Sequence, residues 1–440
     1  MGESTSLPDR LPIEPLLRPV NATVSVPGSK SITNRALVLA ALTTRSQPFQ
    51  LTGALRSEDT EVMVRCLLAL GFDVRPDWDA SPPTILVEPV AASPLLPVKS
   101  ADLFVANSGT TMRFLTAMVS LGQGRYRLDG VPRMRERPIG DLLEALAQLG
   151  VKAASEAGNG CPPVVIETGG WRGSAVMVRG GISSQFLSGL MLAAPFASHE
   201  TVVVFDDNLV SRPYLDLTEA MLRQWGFDLR FRERSRSFRV PGGQSASVTA
   251  YAIEPDASAA SYFLAAAAIT EGRVTVLDLP ENSLQGDVRF LDVLADMGCR
   301  VERCSAGITV HGRPLRGIDV DMNDISDTVM TLATVACFAD GPTTIRNVAH
   351  IRHKETDRLA ALATELRRAG AAVEEFADGL TITPAPLHGA EIETYNDHRM
   401  AMSMALIGLR VPGVVIKDPG CVAKTYPDFF ADLENLRGTP

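Results

Sequence analysis

The chain has 440 residues, is 45% hydrophobic and 21% charged, and has a mean hydropathy of +0.09. This describes a folded globular protein of about two or three domains and excludes disordered, collagen-like and fibrous classes. The excess of 51 Asp and Glu over 42 Lys and Arg, a net charge of −9, argues against a broad nucleic-acid-binding face. An anionic ligand must then meet a local concentration of cations. No apolar run reaches the roughly 18 to 20 residues of a membrane span. The opening segment carries Asp9, Pro12 and Glu14 where a signal peptide needs basic and then purely apolar residues. Six scattered cysteines show no Cys-x-x-Cys pair and no metal-ligand spacing. The expectation is a cytoplasmic protein with reduced, mostly packed thiols and no bound metal.

In chain order, one pattern recurs at Gly28, Asn107, Ser183, Pro255, Ile325 and Asn396, in steps of 79, 76, 72, 70 and 71 residues. The residues before about Leu17 are read as a mobile extension, and LLRPVNATVSVPG as a strand leading into the first repeat. Each repeat opens with a small or polar cluster and a nearly all-apolar helix: GSKSITNRALVLAAL, NSGTTMRFLTAMVSL, SSQFLSGLMLAAP, PDASAASYFLAAAAI, ISDTVMTLATVACFA and NDHRMAMSMALIGL. Such helices belong at the centre of a fold. A short β-rich run follows, as in YRLDGV, TVVVFDD, VTVLDLP and TTIRNVA. Most repeats then carry an amphipathic, peripheral helix that ends in Gly71, Gly150, Gly226, Gly298 or Gly370, where a left-handed terminal residue fits. The segment 239–255 reads as the crossing between two halves of three repeats, and a ligand usually sits between two such lobes.

The polar residues gather at helix starts, whose unpaired N–H groups and positive dipole end suit anions. A single Ser, Asp or Asn there is most often only a cap, and Ser108 and Asp256 are open to that reading. Capping does not explain cations at the same ends. Lys30 and Arg35 flank the first helix, Arg137 precedes Pro138 at an expected first helical position, and Arg399 lies in NDHRM. Lys354 and Arg358, four apart in KETDR, are expected on one helical face, a mildly destabilising pair that an anion would relieve. The alternative for KETDR alone is a solvated helix start neutralised by Glu355 and Asp357. Together the cations predict ligands bearing phosphate and carboxylate, with Ser183, Ser184, Gln185, Ser211 and Tyr214 as neutral donors.

Other motifs fit poorly. GSKS lacks the glycines and the Gly-Lys pair of a nucleotide-binding P-loop. No G-x-S-x-G elbow or G-x-G-x-x-G turn is present, so a serine hydrolase and a nicotinamide or flavin enzyme find no support.

PGSKSITNRALVLAAL, NSGTTMRFL, RERPIGDLLEAL, SSQFLSGLMLAAP, SRPYLDLT, ASYFLAAAAI, HKETDRLAALATELRRAG, NDHRMAMSMALIGL and AKTYPDF, in this order, resemble the 3-phosphoshikimate 1-carboxyvinyltransferase (EPSP synthase) family of enolpyruvyl transferases from about Leu17 to Phe430. The resemblance implies an α/β protein, a two-lobed inverse α/β barrel of six βαβαββ-type repeats. Residues 1–27 and 255–440 would form one lobe and 28–254 the other, with hinges near Pro27 to Gly28 and near Ile253 to Pro255 and the active site in the cleft. It implies transfer of the enolpyruvyl group of phosphoenolpyruvate to the 5-hydroxyl of shikimate 3-phosphate in aromatic amino acid biosynthesis, by a cytoplasmic monomer needing no cofactor, membrane or nucleic acid. Carried over by position, shikimate 3-phosphate meets Lys30, Ser31, Arg35, Ser183, Ser184, Gln185, Ser211, Tyr214, Asp327, His350 and Lys354. Phosphoenolpyruvate meets Lys30, Asn107, Gly109, Arg137, Gln185, Arg358, Arg399 and Lys424. Asp327 resembles the family's base, and Glu355 ranks before Lys30 and Lys424 as the proton donor.

Two positions depart from the family's pattern. His350 stands where many relatives have Asn, which predicts sensitivity to pH near an imidazole pKa. Phe114 stands where many have Pro, on the helix bearing Gly109, and with Gly109 present inhibition by glyphosate is expected. The UDP-N-acetylglucosamine enolpyruvyl transferases, which share fold and donor, typically have Lys-Asn where Lys30-Ser31 stand here. They also carry a reactive Cys in the loop that reads VPRMRERPIG in this chain, without Cys. A non-catalytic anion-binding module would have lost Asp327, Glu355 or Lys424, and all three are present.

Overall fold

The computed structural model describes residues 7–44, 46–90, 95–179, 183–206 and 209–437. Among them are twelve α-helices, two per sequence repeat: α1 (Lys30–Thr43), α2 (Glu58–Ala69), α3 (Gly109–Val119), α4 (Gly140–Gln148), α5 (Ser184–Ala193), α6 (Pro213–Gln224), α7 (Ala257–Thr270), α8 (Phe290–Asp296), α9 (Val329–Ala336), α10 (Arg358–Arg368), α11 (His398–Gly408) and α12 (Phe429–Asn435). The odd-numbered helices are the apolar ones of the sequence pattern. Every residue of α7 and α11 is buried, as expected of helices without a polar face. The even-numbered helices bury one stripe, as α10 does with Leu359, Leu362 and Leu366 while Arg367 and Arg368 face solvent. Gly71, Gly150, Gly226, Gly298 and Gly370 all have positive φ, between 81° and 117°, in keeping with their predicted place after a helix end.

Five four-stranded sheets repeat one strand order among the described residues. In the second repeat, Ser100–Phe104 and Gln123–Asp129 pair in parallel, with α3 as the crossover that parallel pairing demands. Val164–Gly169 then pairs antiparallel with Gln123–Asp129, and Lys152–Ser155 with Val164–Gly169. Two strands are exchanged between repeats. Asn21–Val24 precedes α1 in sequence but pairs with Arg273–Leu277, beyond α7, whereas Ala250–Ala252 precedes α7 but pairs with Phe49–Thr52, beyond α1. The chain divides into two compact units, one running to Pro27 and resuming at Glu254, the other Gly28–Ile253.

Of the residues before Leu17, expected to form a mobile extension, 1–6 lie outside the described residues, and the rest are not simply an extension. Arg10–Ile13 pairs antiparallel with Val414–Lys417, which itself pairs in parallel with Glu391–Ile392, so the N-terminal segment completes the sixth repeat's sheet. The segment alternates only weakly in polarity and contains Pro12, which hid the strand; Pro is tolerated in edge strands like this one. Ile13 is buried against Gly408 of α11, where a Cβ would stand 2.5 Å from the Cβ of Ile13.

Candidate active site

In the unit Gly28–Ile253, the polar residues cluster at the N-terminal ends of α1, α3 and α5, which pack on one another. Lys30 is the first residue of α1, after Ser29, whose hydroxyl accepts from the Ile32 N–H at 3.4 Å. Its Nζ lies 3.6 Å from Asp59 Oδ2, a buried carboxylate in the first turn of α2. Arg35, one turn further along α1, is buried: Nε donates to Thr218 Oγ1 at 2.8 Å, Nη1 to the Ser31 carbonyl at 2.9 Å and Nη2 to the Tyr214 carbonyl at 3.1 Å. The guanidinium also lies 5.0 Å from the ring centre of Phe114, so the departure at this position supplies a cation–π partner. Burial lowers its pKa to about 10, which leaves it charged at neutral pH. Arg35 thus joins Ser31 to the backbone of Tyr214, which lies just beyond Ser211, a buried residue of positive φ.

Ser108 caps α3 as the plain reading had it, accepting from the Thr111 N–H, and Asp256 caps α7 in the same way. Gly109 is the first residue of α3, and two guanidiniums crowd it. A Cβ there would stand 2.6 Å from Arg137 Nη2 and 2.8 Å from Arg113 Nη1. Arg137 Nη1 donates to the Asn107 carbonyl at 3.2 Å, while Arg113 spans from the Gly109 carbonyl, 3.1 Å, to the Pro138 carbonyl, 3.0 Å. Pro138 is not a first helical residue, because α4 begins at Gly140; Arg137 instead ends a short 3-10 turn, Pro132–Glu136. Ser183 caps α5, Ser184 is buried, and Gln185 Nε2 donates to Thr110 Oγ1 at 3.3 Å, beside Gly109.

In the other unit, Arg358 is the hub. It is 1% exposed and touches three carboxylates: Asp397 through Nε at 2.8 Å, Glu355 through Nη2 at 2.9 Å and Asp327 through Nη1 at 3.3 Å. Burial pulls the guanidinium's pKa down, but Asp397, Glu355 and Asp327 outweigh it, and the net shift is upward. The second oxygen of Asp327 accepts from Arg399 Nη2 at 2.7 Å. Arg399 is buried in the first turn of α11, where the N-cap Asp397 also accepts from the Arg399 N–H at 2.9 Å. The cations at this helix start are therefore matched by carboxylates.

Lys354 and Arg358 do not share a helical face. Lys354 has φ −88° and ψ −149°, and α10 begins only at Arg358, capped by Asp357. The Asp357 side chain forms a cap and an ion pair with Arg352, whose Nη1 lies 2.9 Å from each oxygen, and so stops the helix there. The extended link lets Glu355 fold back onto Arg358. His350 is buried in the preceding turn, Ala349–His353. Its pKa is pushed down to about 3, by burial first and then by Lys354, so it does not titrate near neutrality as expected from sequence. Lys424 is buried at the end of the turn Pro419–Lys424, which packs against α11.

The sequence reading missed Asp397, Arg113 and the residues that hold Arg399 from behind. Asp397 also caps α11, a part open to any Asp at a helix start. Among the described residues no group of His, Cys, Asp and Glu has the arrangement of a metal site.

A model of the family described as EPSP synthase (3-phosphoshikimate 1-carboxyvinyltransferase) matches residues 17–433. Relatives named 3-phosphoshikimate 1-carboxyvinyltransferase include that of Nostoc punctiforme, 48% identical over 96% of this chain and 98% of the relative. That of Serratia proteamaculans is 46% identical, over 97% and 99%. Among solved structures, an EPSP synthase from Acinetobacter baumannii superposes with a TM-score of 0.78 at 26% identity, covering 97% of this chain and 98% of that one.

Proposed function

The chain belongs to the EPSP synthase (3-phosphoshikimate 1-carboxyvinyltransferase) family, and from that premise we propose the parts its residues take in moving the enolpyruvyl group of phosphoenolpyruvate to the 5-hydroxyl of shikimate 3-phosphate. The reaction is an addition followed by an elimination. A base takes the hydroxyl proton, an acid protonates the methylene carbon to a methyl and the oxygen bonds to the central carbon; in the elimination the group that delivered that proton takes one back from the methyl as phosphate leaves, and the double bond returns. The observation that carries the assignment is that Asp327 and Glu355 accept from the two terminal nitrogens of one guanidinium, that of Arg358. Base and acid are thereby fixed on a common rigid group, as proton transfers at adjacent atoms require.

In this reading Asp327 takes the proton, Glu355 delivers one, and Lys30 and Lys424 are the other acids available. Arg137, Arg358 and Arg399, with Lys30, Asn107, Gly109, Gln185 and Lys424, hold phosphoenolpyruvate. Ser31, Arg35, Ser183, Ser184, Ser211, Tyr214, His350 and Lys354, with Lys30, Gln185 and Asp327, hold shikimate 3-phosphate. The bare helix start at Gly109 supports close approach of an anion, which a side chain would obstruct. Charge stabilisation by fixed cations and positioning are the main catalytic contributions. The enzyme works in the cytoplasm, a reading supported by six free thiols, and as a monomer.

The test is phosphate release in chelator-containing buffer. Release is expected to need both substrates and to fall roughly 10²- to 10⁴-fold in Asp327→Asn. Absent release with calorimetric binding of shikimate 3-phosphate intact would overturn the transferase reading and leave an anion-binding module.

A further inference from the structure

The Arg399 guanidinium also meets residues to which neither the family resemblance nor the site reading gives a part. Ser258 and Tyr262 lie four residues apart on α7, hence on one helical face. Arg399 Nη2 donates to Ser258 Oγ at 3.4 Å and Nη1 to Tyr262 Oη at 3.4 Å. Behind Ser258 stands Asp287, a buried carboxylate in the turn Gly286–Arg289, whose Oδ2 accepts the Ser258 hydroxyl at 2.5 Å.

A serine hydroxyl has one proton to donate. With that proton given to Asp287, Ser258 presents its oxygen lone pairs to Arg399, and its donor side faces away. We propose that Asp287 is a positioning residue for the phosphoenolpyruvate subsite: through Ser258 it fixes the Arg399 guanidinium in the plane in which Nη2 also meets Asp327. The relay runs from Asp287 through Ser258 and Arg399 to Asp327, entirely within one unit of the chain. Without the carboxylate, the hydroxyl is released to rotate and turn its proton toward the cation, and the guanidinium loses an acceptor and its fixed plane. Planar, bidentate recognition of a carboxylate or phosphate depends on that plane. Asp287 never touches the substrate in this account; its effect reaches the ligand only through Arg399. The proposal rests on the reading that Arg399 holds phosphoenolpyruvate.

The experiment compares Asp287→Ala, Asp287→Asn, Ser258→Ala and the double alanine variant, with Arg399→Lys as reference. A small displacement of a positioning cation is expected to raise the KM for phosphoenolpyruvate about ten- to a hundredfold. The KM for shikimate 3-phosphate, which touches the relay only at its far end, Asp327, is expected to move much less in Asp287→Ala and Ser258→Ala. The double variant is expected to be no worse than either single one, because both break the same relay. Asp287→Asn, whose amide oxygen still accepts the hydroxyl proton, is expected to recover most of the loss, which a generally damaged fold would not do. Should Asp287→Ala fail to fold, Ser258→Ala carries the test, since alanine suits the first turn of a helix. If Arg399→Lys raises this KM while Ser258→Ala and Asp287→Ala leave it within about twofold, the positioning role is overturned. If Arg399→Lys itself leaves the KM unmoved, the assignment of Arg399 to phosphoenolpyruvate is overturned instead, and the relay's role with it.

Discussion

Arg358 and Asp397 form a buried ion pair, Nε to Oδ2 at 2.8 Å and Nη2 to Oδ1 at 3.3 Å, with the side chains 1% and 0% exposed. The pair ties the first residue of α10 to the N-cap of α11, and the same guanidinium carries Glu355 and Asp327. Removing one partner of a buried pair leaves the other charge without compensation. Asp397→Ala is therefore expected to lower stability by about 3–5 kcal/mol, seen as an earlier urea midpoint at unchanged slope. Activity in the remaining folded enzyme is expected to fall too, because both candidate proton-transfer groups lose their common anchor. Unchanged stability would mean that water or a neighbouring carboxylate replaces Asp397.

Gly109 yields a prediction of different kind, because its neighbours are the guanidiniums of Arg113 and of Arg137, the latter with a proposed binding part, rather than core atoms. A Cβ would stand 2.6 Å from Arg137 Nη2 and 2.9 Å from Arg137 Cζ, so the guanidinium has to move in Gly109→Ala. Overpacking of this size costs about 1–3 kcal/mol, and the cost falls on the arrangement proposed to receive phosphoenolpyruvate. The KM for phosphoenolpyruvate is expected to rise about tenfold, the equivalent of about 1.4 kcal/mol, with calorimetric binding of shikimate 3-phosphate alone unaltered. A loss of shikimate 3-phosphate affinity would relocate the effect to α1 and α5.

The N-terminal strand gives a prediction about stability alone. The three atoms nearest a Cβ on Gly408 all belong to Ile13, at 2.5, 2.6 and 3.3 Å. A Gly within a helix ordinarily gains about 1 kcal/mol when changed to Ala, but Gly408→Ala is expected to destabilise here. In an Ile13→Gly background the space is open, and Gly408→Ala is expected to become neutral or stabilising. Ile13→Ala alone is expected to cost about 2–5 kcal/mol. Urea unfolding of the four variants measures the coupling, and additive effects would show that the Arg10–Ile13 strand does not press on α11.

The contrast between α7 and α10 shows what sequence can carry. An almost unbroken apolar run marked α7, and an apolar period closed by Gly370 marked α10, because burial on all faces or on one stripe is a local property of the pattern. The start of α10 was misread because Lys354 and Glu355 suit a helix as well as Arg358 does; the Asp357 cap and its pair with Arg352 decide the matter, and the pair depends on how the preceding turn folds. The strand exchange of Asn21–Val24 and Ala250–Ala252 is invisible to periodicity, since either strand would satisfy either sheet edge. Asp397 and Asp287 carry no mark of a role in the sequence, and only the tertiary approach of Arg358 and Ser258 gives them one.

His350 supplies the prediction on pH. Burial is the largest cause of its depressed pKa, Lys354, Arg358 and His353 add to it and Asp327 alone opposes, so that the pKa falls from 6.5 to about 3. A folded-state value below the unfolded one means that the unfolded chain binds more protons in the window between them. Stability from this group is thus complete above pH 6.5 and is progressively lost as the pH falls toward about 3. The slope is at most about 1.4 kcal/mol per pH unit for a single proton. His350→Asn, neutral throughout, removes that slope, so the variant is expected to gain on the parent in urea unfolding between about pH 5 and pH 7 as the medium is acidified. Between pH 6 and 8 the imidazole stays neutral, and the pH dependence of kcat/KM is expected to keep its shape in His350→Asn. An inflection near the ordinary imidazole value that vanishes in the variant would show that His350 is charged in the working enzyme, and that ligand phosphate overrides the burial.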